Sequence, residues 1–472
     1  MSEPTVVQRL AEVAVEIRDK GLPAELRADV ARRVLDVLGN SLAATPLEPS
    51  RTVQALAAEW GGSAQATAIG AAALGAGRRY PAATAALVNG TLAHALDFDD
   101  THLPSVLHPS SNVVPAALAA AEAVGASGPA LLDAAGFGIE VCVRLGMAGY
   151  DAELGNSVFF DRGLHATAIC GAVGAAVAAA MLHGLDAAEI ASAAGIACSM
   201  GAGVLEANRT GGTVKRVHCG WAAHCGTAAA DLARHGLTGP PTVIEGRFGF
   251  LQAYCGDRAD PYVVVDGLGV RWELPGIFFK PYPCNHFTHA GIDAALRLRA
   301  RGLDPDSVED IELGAAGPVL RTIAQPAEQK ARPATGYAAA FSGPYTVAAA
   351  LLGGGGLGVF HEDFTDEMAR DERRRALAAK VRCVEDPLCS RIFPNQFPAV
   401  LRVLTRSGET FEERLDVNRG GPQDPLTDAE LATKFRLNAV RSVSEERAGE
   451  IAACALGLQS LADVGELTDL LP

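Results

Sequence analysis

The segment HALDFDDTH, residues 94–102, follows an alanine-rich stretch, residues 82–96, whose composition predicts a helix. If that helix continued, His94, Asp97 and Thr101 would share one of its faces. The segment also holds three carboxylates within four residues, and buried carboxylates must be paired or hydrogen-bonded. These acidic residues therefore lie either at the solvent surface, as a turn that ends the helix, or in a site that uses them.

The residues that follow this segment add further polar groups. His102 and His108 come next, and Ser110-Ser111-Asn112 provides cap residues for a helix predicted over 113–124. A capped helix start offers free N–H groups and the positive end of a dipole, which suits an anionic ligand. Carboxylates, a hydroxyl, imidazoles and an anion site within one short stretch indicate proton transfer on a carboxylate substrate.

The chain resembles the MmgE/PrpD family in several separated segments that occur in the same order. These segments are HALDFDDTH (94–102) with HPSSNVVPAALAAAE (108–122), LDVLGNS (35–41), GGTVKRVH (211–218), GWAAH (220–224), EGRFGFL (245–251), KPYP (280–283) with TH (288–289), and FS (341–342) with PY (344–345). The family includes 2-methylcitrate dehydratase, cis-aconitate decarboxylase and iminodisuccinate epimerase. Ordered matches along almost the whole chain are far more specific than any one motif.

Length and pattern predict two domains. At 472 residues, of which 49% are apolar, the chain can bury sizeable cores. Helical periodicity fills most of the sequence, whereas residues 308–313 alternate like a strand. Residues 401–405 and 410–415, joined around Ser407-Gly408, are predicted to form a hairpin. We predict a mainly α fold with an inserted α+β domain: a large discontinuous helical domain, 1–272 and 421–472, and a smaller lid-like domain, 273–420. The resemblance implies the same plan, with an active site between the two domains.

Composition limits the partners and the compartment. Acidic residues outnumber basic ones, 55 against 40, and the formal net charge is −15. Such a surface repels nucleic acid and anionic membranes, so we expect neither as a partner. The ten cysteines are scattered and are expected to be reduced core residues. Without a signal-peptide pattern or an apolar run that could span a bilayer, we expect a soluble, cytoplasmic protein. The resemblance implies a homodimer.

The predicted catalytic residues are Asp97, Thr101, His108, His165 and Lys215. His165 precedes an apolar helix and, taken alone, would be a core or capping histidine; the resemblance implies a site role for it. Lys215 follows a glycine-rich turn, where it can clamp a substrate carboxylate, and the family has a site lysine there. We expect His108 or His165 to move the proton, while Asp97 and Thr101 orient the pair or assist a leaving hydroxyl.

Four further residues are predicted to bind substrate: Arg216, Lys280, His286 and Tyr345. Arg216 adjoins the catalytic lysine, and Lys280 precedes a Pro-Tyr-Pro loop close to the predicted domain boundary. The resemblance implies a site role for Lys280 and for Tyr345. In some relatives a histidine occupies the position of Asn285, so the departure here leaves the role of the adjacent His286 open.

No metal or cofactor is predicted. The pairs His218-Cys219 and His224-Cys225 suggest zinc, but no separate ligand pair has zinc-site spacing. The GGGGLG segment, residues 353–358, matches a dinucleotide-binding pattern on paper. It follows a helical run rather than a strand, so it is predicted to be a loop that ends a helix. The family is not known for needing a metal.

The leading prediction is a cofactor-independent lyase of the dehydratase or hydratase type. It would act on a small di- or tricarboxylate by abstracting a proton next to a carboxylate and releasing water. A second enzyme hypothesis keeps the site and the carbanion but ends in epimerisation, isomerisation or decarboxylation. A third is a catalytically silent binding protein on the same fold. The only partners expected are the small polycarboxylate and a second copy of the chain.

Overall fold

A computed structural model of the chain describes residues 3–75 and 77–472. The chain forms two compact units. We call the chain up to Ile277 together with Phe435–Pro472 the helical unit, and Phe278–Lys434 the inserted unit. The predicted class, a mainly α fold with a smaller α+β domain, is confirmed. The sequence pattern placed the ends of the inserted region at 273 and 420, five residues before the first boundary of the compact unit and 14 before the second.

The helical unit is built almost entirely from helices. They are α1 (Val6–Lys20), α2 (Ala24–Ala44), α3 (Glu48–Trp60), α4 (Ala82–His94), α5 (Ser110–Val124), α6 (Gly128–Ala148), α7 (Val158–Asp161), α8 (Ala166–Leu182), α9 (Ala187–Met200), α10 (Ala207–Thr210), α11 (His218–Arg234), α12 (Phe250–Cys255) and, near the end of the chain, α21 (Glu445–Leu456) and α22 (Gly465–Thr468). Its short strands are β1 (Ala66–Thr67), β2 (Arg79–Tyr80), β3 (Thr101–His102), β4 (Tyr150–Asp151) and β5 (Asn156–Ser157). The strand β1 pairs antiparallel with β2, and β4 with β5.

The centre of the helical unit is α8, which carries buried alanine, valine and glycine along nearly its whole length. It packs against α5, α6, α9 and α11, so that it is surrounded by helices on every side. Small side chains allow these helices to approach closely, and an apolar helix of this length is stable only when it is buried in this way. The low aromatic content of the sequence is therefore accommodated by close helix packing.

Helices α4 and α11 touch through their backbones at two glycines. A Cβ atom on Gly90 would lie 2.9 Å from the Cα atom of Gly220, and one on Gly220 would lie 2.2 Å from the carbonyl oxygen of Leu87. No other residue type permits this approach. The contact lies near the end of α4, at His94, and near the start of α11, at His218.

The last segment of the chain returns to the helical unit. Helix α20 (Asp428–Ala439) leads into it. Asn438 Nδ2 donates to Asn40 Oδ1 at 3.1 Å, and the Ser442 hydroxyl donates to the Leu42 carbonyl at 2.7 Å. Both partners lie on α2, so residues far apart in sequence share one core.

The inserted unit combines a small sheet with helices. Its helices are α13 (His289–Ala300), α14 (Gly317–Ile323), α15 (Ala327–Ala331), α16 (Gly336–Ala339), α17 (Gly343–Leu352), α18 (Glu372–Ala378) and α19 (Pro387–Ile392). A short strand, β6 (Ile277–Phe278), stands at the junction, and the sheet consists of β7 (Val308–Ala315), β8 (Val381–Glu385), β9 (Ala399–Thr405) and β10 (Thr410–Leu415) in the order β10-β9-β7-β8. Only the β7–β8 pair is parallel. The predicted hairpin and the strand at 308–313 are confirmed.

Two sequence-based expectations on the whole chain can be compared with the structure. All ten cysteines have free thiols; eight are buried and two are intermediate in exposure, as predicted for reduced core residues. Within residues 3–75 and 77–472, no helix combines the length and the apolar character needed to cross a membrane.

Candidate active site

Four histidines of the helical unit lie next to one another: His94, His108, His165 and His218. We call them the histidine cluster. The ring centroids of His94 and His108 are 5.5 Å apart, those of His94 and His165 are 5.7 Å apart, and those of His165 and His218 are 5.1 Å apart. His108 is partly exposed and the other three are buried. The sequence singled out His108 and His165, and the structure adds the other two.

Helix ends bring the histidine cluster together. His94 is the last residue of α4, His165 is the cap residue of α8, and His218 is the first residue of α11. His108 stands just before α5. Because the helices α4 and α11 are in backbone contact, their ends can present imidazoles to the same volume. A helix end also gives each ring a main-chain neighbour that can fix its orientation.

The expectation of one continuous helical face was wrong. Helix α4 ends at His94, two residues before the predicted end, and Asp97 has a φ of 53°, in the left-handed region. Thr101 lies in the short strand β3. The chain leaves the helix because its buried carboxylates bond to separate partners: Asp99 turns back to His94, whereas Asp100 reaches forward to the next helix.

The predicted anion site at the next helix is filled by the protein itself. Helix α5 begins at Ser110, not at 113, and Asp100 occupies its start. The Asp100 carboxylate accepts from the Ser110 main-chain N–H at 3.2 Å and from the Ser110 hydroxyl at 2.6 Å. Arg33 Nη1 also donates to it at 3.0 Å. This helix start therefore does not offer its N–H groups to a substrate, and the expectation of a substrate anion there is corrected.

His94 and Asp99 form a buried ion pair. The His94 Nδ1 atom lies 2.8 Å from Asp99 Oδ2. Burial alone lowers the pKa of His94, but the neighbouring Asp99 carboxylate more than reverses this and raises the pKa to about 10. His94 is thus an imidazolium at neutral pH, with Nδ1–H donated to Asp99. Within the part of the chain that the structure describes, its Nε2 atom has no hydrogen-bond partner.

His108 is held by the main chain in one tautomer. Its Nδ1 atom lies 2.7 Å from the Asp100 carbonyl oxygen and 3.3 Å from Thr101 Oγ1. A carbonyl oxygen can only accept, so Nδ1 carries the hydrogen; whenever the ring is neutral, Nε2 therefore holds the lone pair. Thr167 accepts from the His108 main-chain N–H at 3.1 Å. The predicted neighbours Thr101 and His108 are therefore in contact, but through the loop geometry and not through a helical face.

His165 and His218 share one proton. Their Nδ1 atoms are 3.0 Å apart, so one ring donates and the other accepts. Burial, followed by nearby positive charges, lowers the pKa of His165 well below its ordinary value. Burial and His94 lower the pKa of His218 to about 4. Both rings are consequently neutral at neutral pH, and together they can accept or deliver a proton.

Lys215 lies at the more exposed side of the site. Its Nζ atom is 3.8 Å from Asp97 Oδ1, and the two side chains are 13% and 12% exposed. The preceding Gly211 and Gly212 have φ values of 94° and 105°, which only glycine adopts without strain. Arg216 lies on the same 3₁₀ turn, Val214–Val217, and is partly exposed.

The remaining predicted substrate ligands belong to the inserted unit. Lys280 is buried. His286 begins a 3₁₀ turn, and its ring packs edge-on against Phe278 and Phe397 with centroids 5.6 and 5.3 Å away. Asn285, where some relatives have histidine, caps that turn by accepting from the Phe287 main-chain N–H at 3.1 Å.

Tyr345 lies in the core of the inserted unit. Its side chain is fully buried, and its hydroxyl donates to the Asp363 carbonyl at 2.6 Å. Arg374 Nη1 lies 3.4 Å from the same hydroxyl oxygen. These contacts brace the inserted unit and engage the hydroxyl; the substrate contact of Tyr345 stays a prediction from the resemblance.

One group of side chains has the spacing of metal ligands. Among the described residues, ligand atoms of His94, Asp99 and Cys219 lie within 4.8 Å of one another. Two ligands of a tetrahedral zinc ion are about 3.3 Å apart, so the 2.8 Å contact of His94 with Asp99 is a hydrogen bond. Ser111 donates to Cys219 Sγ at 3.3 Å. His224, from the motif that suggested zinc, instead donates to the Ala83 carbonyl at 2.9 Å.

The fold and the site define a mainly helical two-unit protein with a buried cluster of imidazoles, carboxylates and a lysine. Sequence comparison adds the family. The MmgE/PrpD N-terminal domain matches residues 8–262 and the MmgE/PrpD C-terminal domain matches residues 282–459. The chain therefore belongs to the MmgE/PrpD family, as the ordered sequence segments predicted.

Curated relatives cover nearly the whole chain. The human cis-aconitate decarboxylase is 31% identical, over 93% of this chain and 89% of that protein. The cis-aconitate decarboxylase of Aspergillus terreus is 29% identical, over 84% of this chain and 83% of its own length. The cis-aconitate decarboxylase-like protein oryM of Aspergillus oryzae is 28% identical, over 99% of this chain and 98% of its own length. The chain is accordingly an enzyme of this family.

Proposed function

We propose that the chain is a cofactor-independent lyase that acts on a small di- or tricarboxylate by moving a proton at a carbon next to a carboxylate. The tautomer of His108 carries this proposal. Its Nδ1–H is held by the Asp100 carbonyl at 2.7 Å, which reserves Nε2 to accept a proton. The ring of the cation His94 lies 5.5 Å from that of the base, and the charge of Lys215 acts on both His94 and His165. These two cations would stabilise the negative charge that develops on the substrate.

Loss of water is the outcome proposed first, as the sequence analysis predicted. Elimination needs one group to take the α-proton and another to protonate the leaving hydroxyl. His108 Nε2 takes the proton, the carbon–oxygen bond breaks as the double bond forms, and the hydroxyl leaves as water. The proton then held by the His108 imidazolium is passed to the hydroxyl through the neutral His165–His218 pair, which accepts a proton at one ring nitrogen as it releases another. Asp97 and Thr101 orient these groups, as the sequence suggested.

Lys215 is proposed to bind a substrate carboxylate. Asp97 is its counter-ion at 3.8 Å, and both side chains are partly accessible. A substrate carboxylate would compete with Asp97 for the ammonium group. In a chain of net charge −15, such a local cation is needed to hold a polycarboxylate. Arg216, Lys280 and His286 are kept as proposed substrate contacts from the sequence.

Decarboxylation is a second candidate because the three relatives above are named cis-aconitate decarboxylases or a decarboxylase-like protein. The same groups could serve it. The bond to one carboxylate breaks, CO2 leaves, the electron pair remains on the carbon framework, and an imidazole delivers the proton to carbon. Here a protonated imidazole acts as the acid, so proton delivery to carbon takes the place of proton abstraction.

A substrate screen separates these outcomes. The purified chain is incubated with 2-methylcitrate, cis-aconitate and iminodisuccinate, and products are followed by proton NMR together with CO2 release. Alkene formation without CO2 supports the dehydratase, CO2 release supports the decarboxylase, and inversion without either supports an epimerase. Binding of a polycarboxylate without any turnover would contradict the proposed lyase and favour a silent binding protein.

We also propose a homodimer, which rests on the sequence resemblance. Light scattering of the full chain at micromolar concentration should give twice the mass of one chain. A mass of one chain would contradict the proposal.

A further inference from the structure

His94, like His218, is a member of the histidine cluster to which the sequence analysis gave no role. It is 2% exposed, and one of its nitrogens is fully used because Nδ1 donates to Asp99 at 2.8 Å. The opposite nitrogen, Nε2, is buried and has no hydrogen-bond partner among the residues that the structure describes. Buried polar groups are nearly always satisfied, so an unpartnered donor needs an explanation.

The chemistry of the ring defines the partner that fits. An imidazolium has two N–H donors and no acceptor, and Asp99 takes the first of them. The group that meets Nε2 must therefore accept, and an anion is favoured because the donor is charged. The neighbours of His94 are the groups that would handle the substrate: the rings of His108 and His165, with centroids 5.5 and 5.7 Å away.

We infer that His94 contacts the substrate directly: its Nε2–H, aimed by Asp99, donates a hydrogen bond to a carboxylate of the bound polycarboxylate. The inference rests on the proposed function, because it takes the ligand to be a polycarboxylate. Asp99 is then a positioning residue, which fixes the ring and leaves Nε2 for the ligand. Lys215 and His94 would each hold one anionic group.

Two amide substitutions test the roles of the two ring nitrogens of His94 separately. In His94→Asn the side-chain amide can still reach Asp99, as Nδ1 does, but nothing replaces Nε2. In His94→Gln the longer side chain places an amide near the position of Nε2. His102→Asn is a matched control. His102 is also buried in this region, but its Nδ1 atom is hydrogen-bonded to the Ser105 hydroxyl at 2.7 Å.

The probe is tricarballylate, a saturated tricarboxylate that has neither a hydroxyl nor a double bond to react. Its Kd is measured by calorimetry with the full chain. We expect His94→Asn to raise Kd by about tenfold or more, the scale of one charge-assisted hydrogen bond. His94→Gln should raise it less, and His102→Asn should leave it unchanged.

A spectroscopic readout excludes a purely structural role. In protein with nitrogen-15-labelled histidine, the Nε2 resonance missing from His94→Asn is that of His94, and tricarballylate should shift it in the wild type. If His94→Asn does not fold, the resonance is assigned by its absence from His94→Gln, and the titration of the wild type then decides. An unmoved resonance or an unchanged Kd in His94→Asn would overturn the inference while leaving the proposed function intact. A wild type that binds no polycarboxylate would overturn both.

Discussion

The main-chain carbonyl of Asp100 lies 2.7 Å from Nδ1 of His108 and decides which nitrogen of that ring holds the lone pair. The same residue uses its side chain to hold the start of helix α5 and the Arg33 guanidinium. The backbone of Asp100 thus fixes the tautomer of the proposed base, and its carboxylate anchors the loop that carries this base.

Removing the anchoring charge should destabilise the protein. Asp100→Asn leaves the buried Arg33 with one carboxylate fewer, and we expect the free energy of unfolding to fall by about 3 kcal/mol, measured in urea. Asp97→Asn is the control, because the ion pair of Asp97 with Lys215 is long and partly exposed. It should cost about 1 kcal/mol or less. Equal losses in both variants would contradict this reading of Asp100.

Lys215→Ala should lower turnover by at least about a hundredfold, since a charge that stabilises the developing anion is lost. Its fold should survive, because the side chain is partly exposed and its ion pair with Asp97 is long, at 3.8 Å. Lys215→Arg keeps the charge and should retain more activity than the alanine variant. An alanine variant with full activity and an unchanged melting temperature would remove Lys215 from the mechanism.

The backbone contact of α4 with α11 should tolerate no side chain. In Gly220→Ala the new methyl group would lie 2.2 Å from both the Leu87 carbonyl and Thr91 Oγ1. We expect a loss of about 2 kcal/mol in stability, together with reduced activity, because the two helix ends carry His94 and His218. Gly449→Ala in α21 has open space around it and should stabilise the protein by about 0.5–1 kcal/mol.

The free energy of unfolding should fall towards both ends of the pH range, which gives an acid limb and an alkaline limb. His218 has a folded pKa of about 4, below its ordinary 6.5, so the unfolded chain binds a proton that the native protein excludes. Stability from this histidine is complete above about pH 6.5 and is lost as the pH falls towards 4. His94 has a folded pKa of about 10, so its contribution is complete below about 6.5 and is lost as the pH rises through 10.

Urea unfolding between pH 4 and 10 checks the two limbs. His218→Asn should reduce the loss of stability on the acid limb, to which the buried His165 also contributes, and leave the alkaline limb in place. His94→Asn should flatten the alkaline limb and leave the acid limb in place. An acid limb that persists unchanged in His218→Asn would show that other groups govern it.

Much of the architecture follows from local patterns. Apolar periodicity predicted helices such as α8, and alternation predicted the β9–β10 hairpin, because each pattern is set by residues close in sequence. The end of α4 could not be predicted from such a local pattern. The helix stops at His94 because Asp99 and Asp100 find partners, and one of these, Arg33, lies on a distant helix.

The residues of the candidate site also differ in whether local sequence patterns could predict them. His108 and Lys215 stood out through family-like motifs, and the contact of His108 with Thr101 depends on a loop only a few residues long. His218 was quoted within a motif but received no role. Its place beside His165 depends on the packing of α11 against α8, a long-range contact that no local pattern encodes.

Exchange of the substrate α-proton in D2O tests the central claim, that His108 is the base, most directly. A polycarboxylate that the wild type turns over is incubated with enzyme, and its α-proton signal is followed by NMR. We predict that the wild type exchanges this proton and that His108→Ala does so at least about a hundredfold more slowly, with an unchanged melting temperature. Exchange at the wild-type rate in a folded His108→Ala variant would contradict the account.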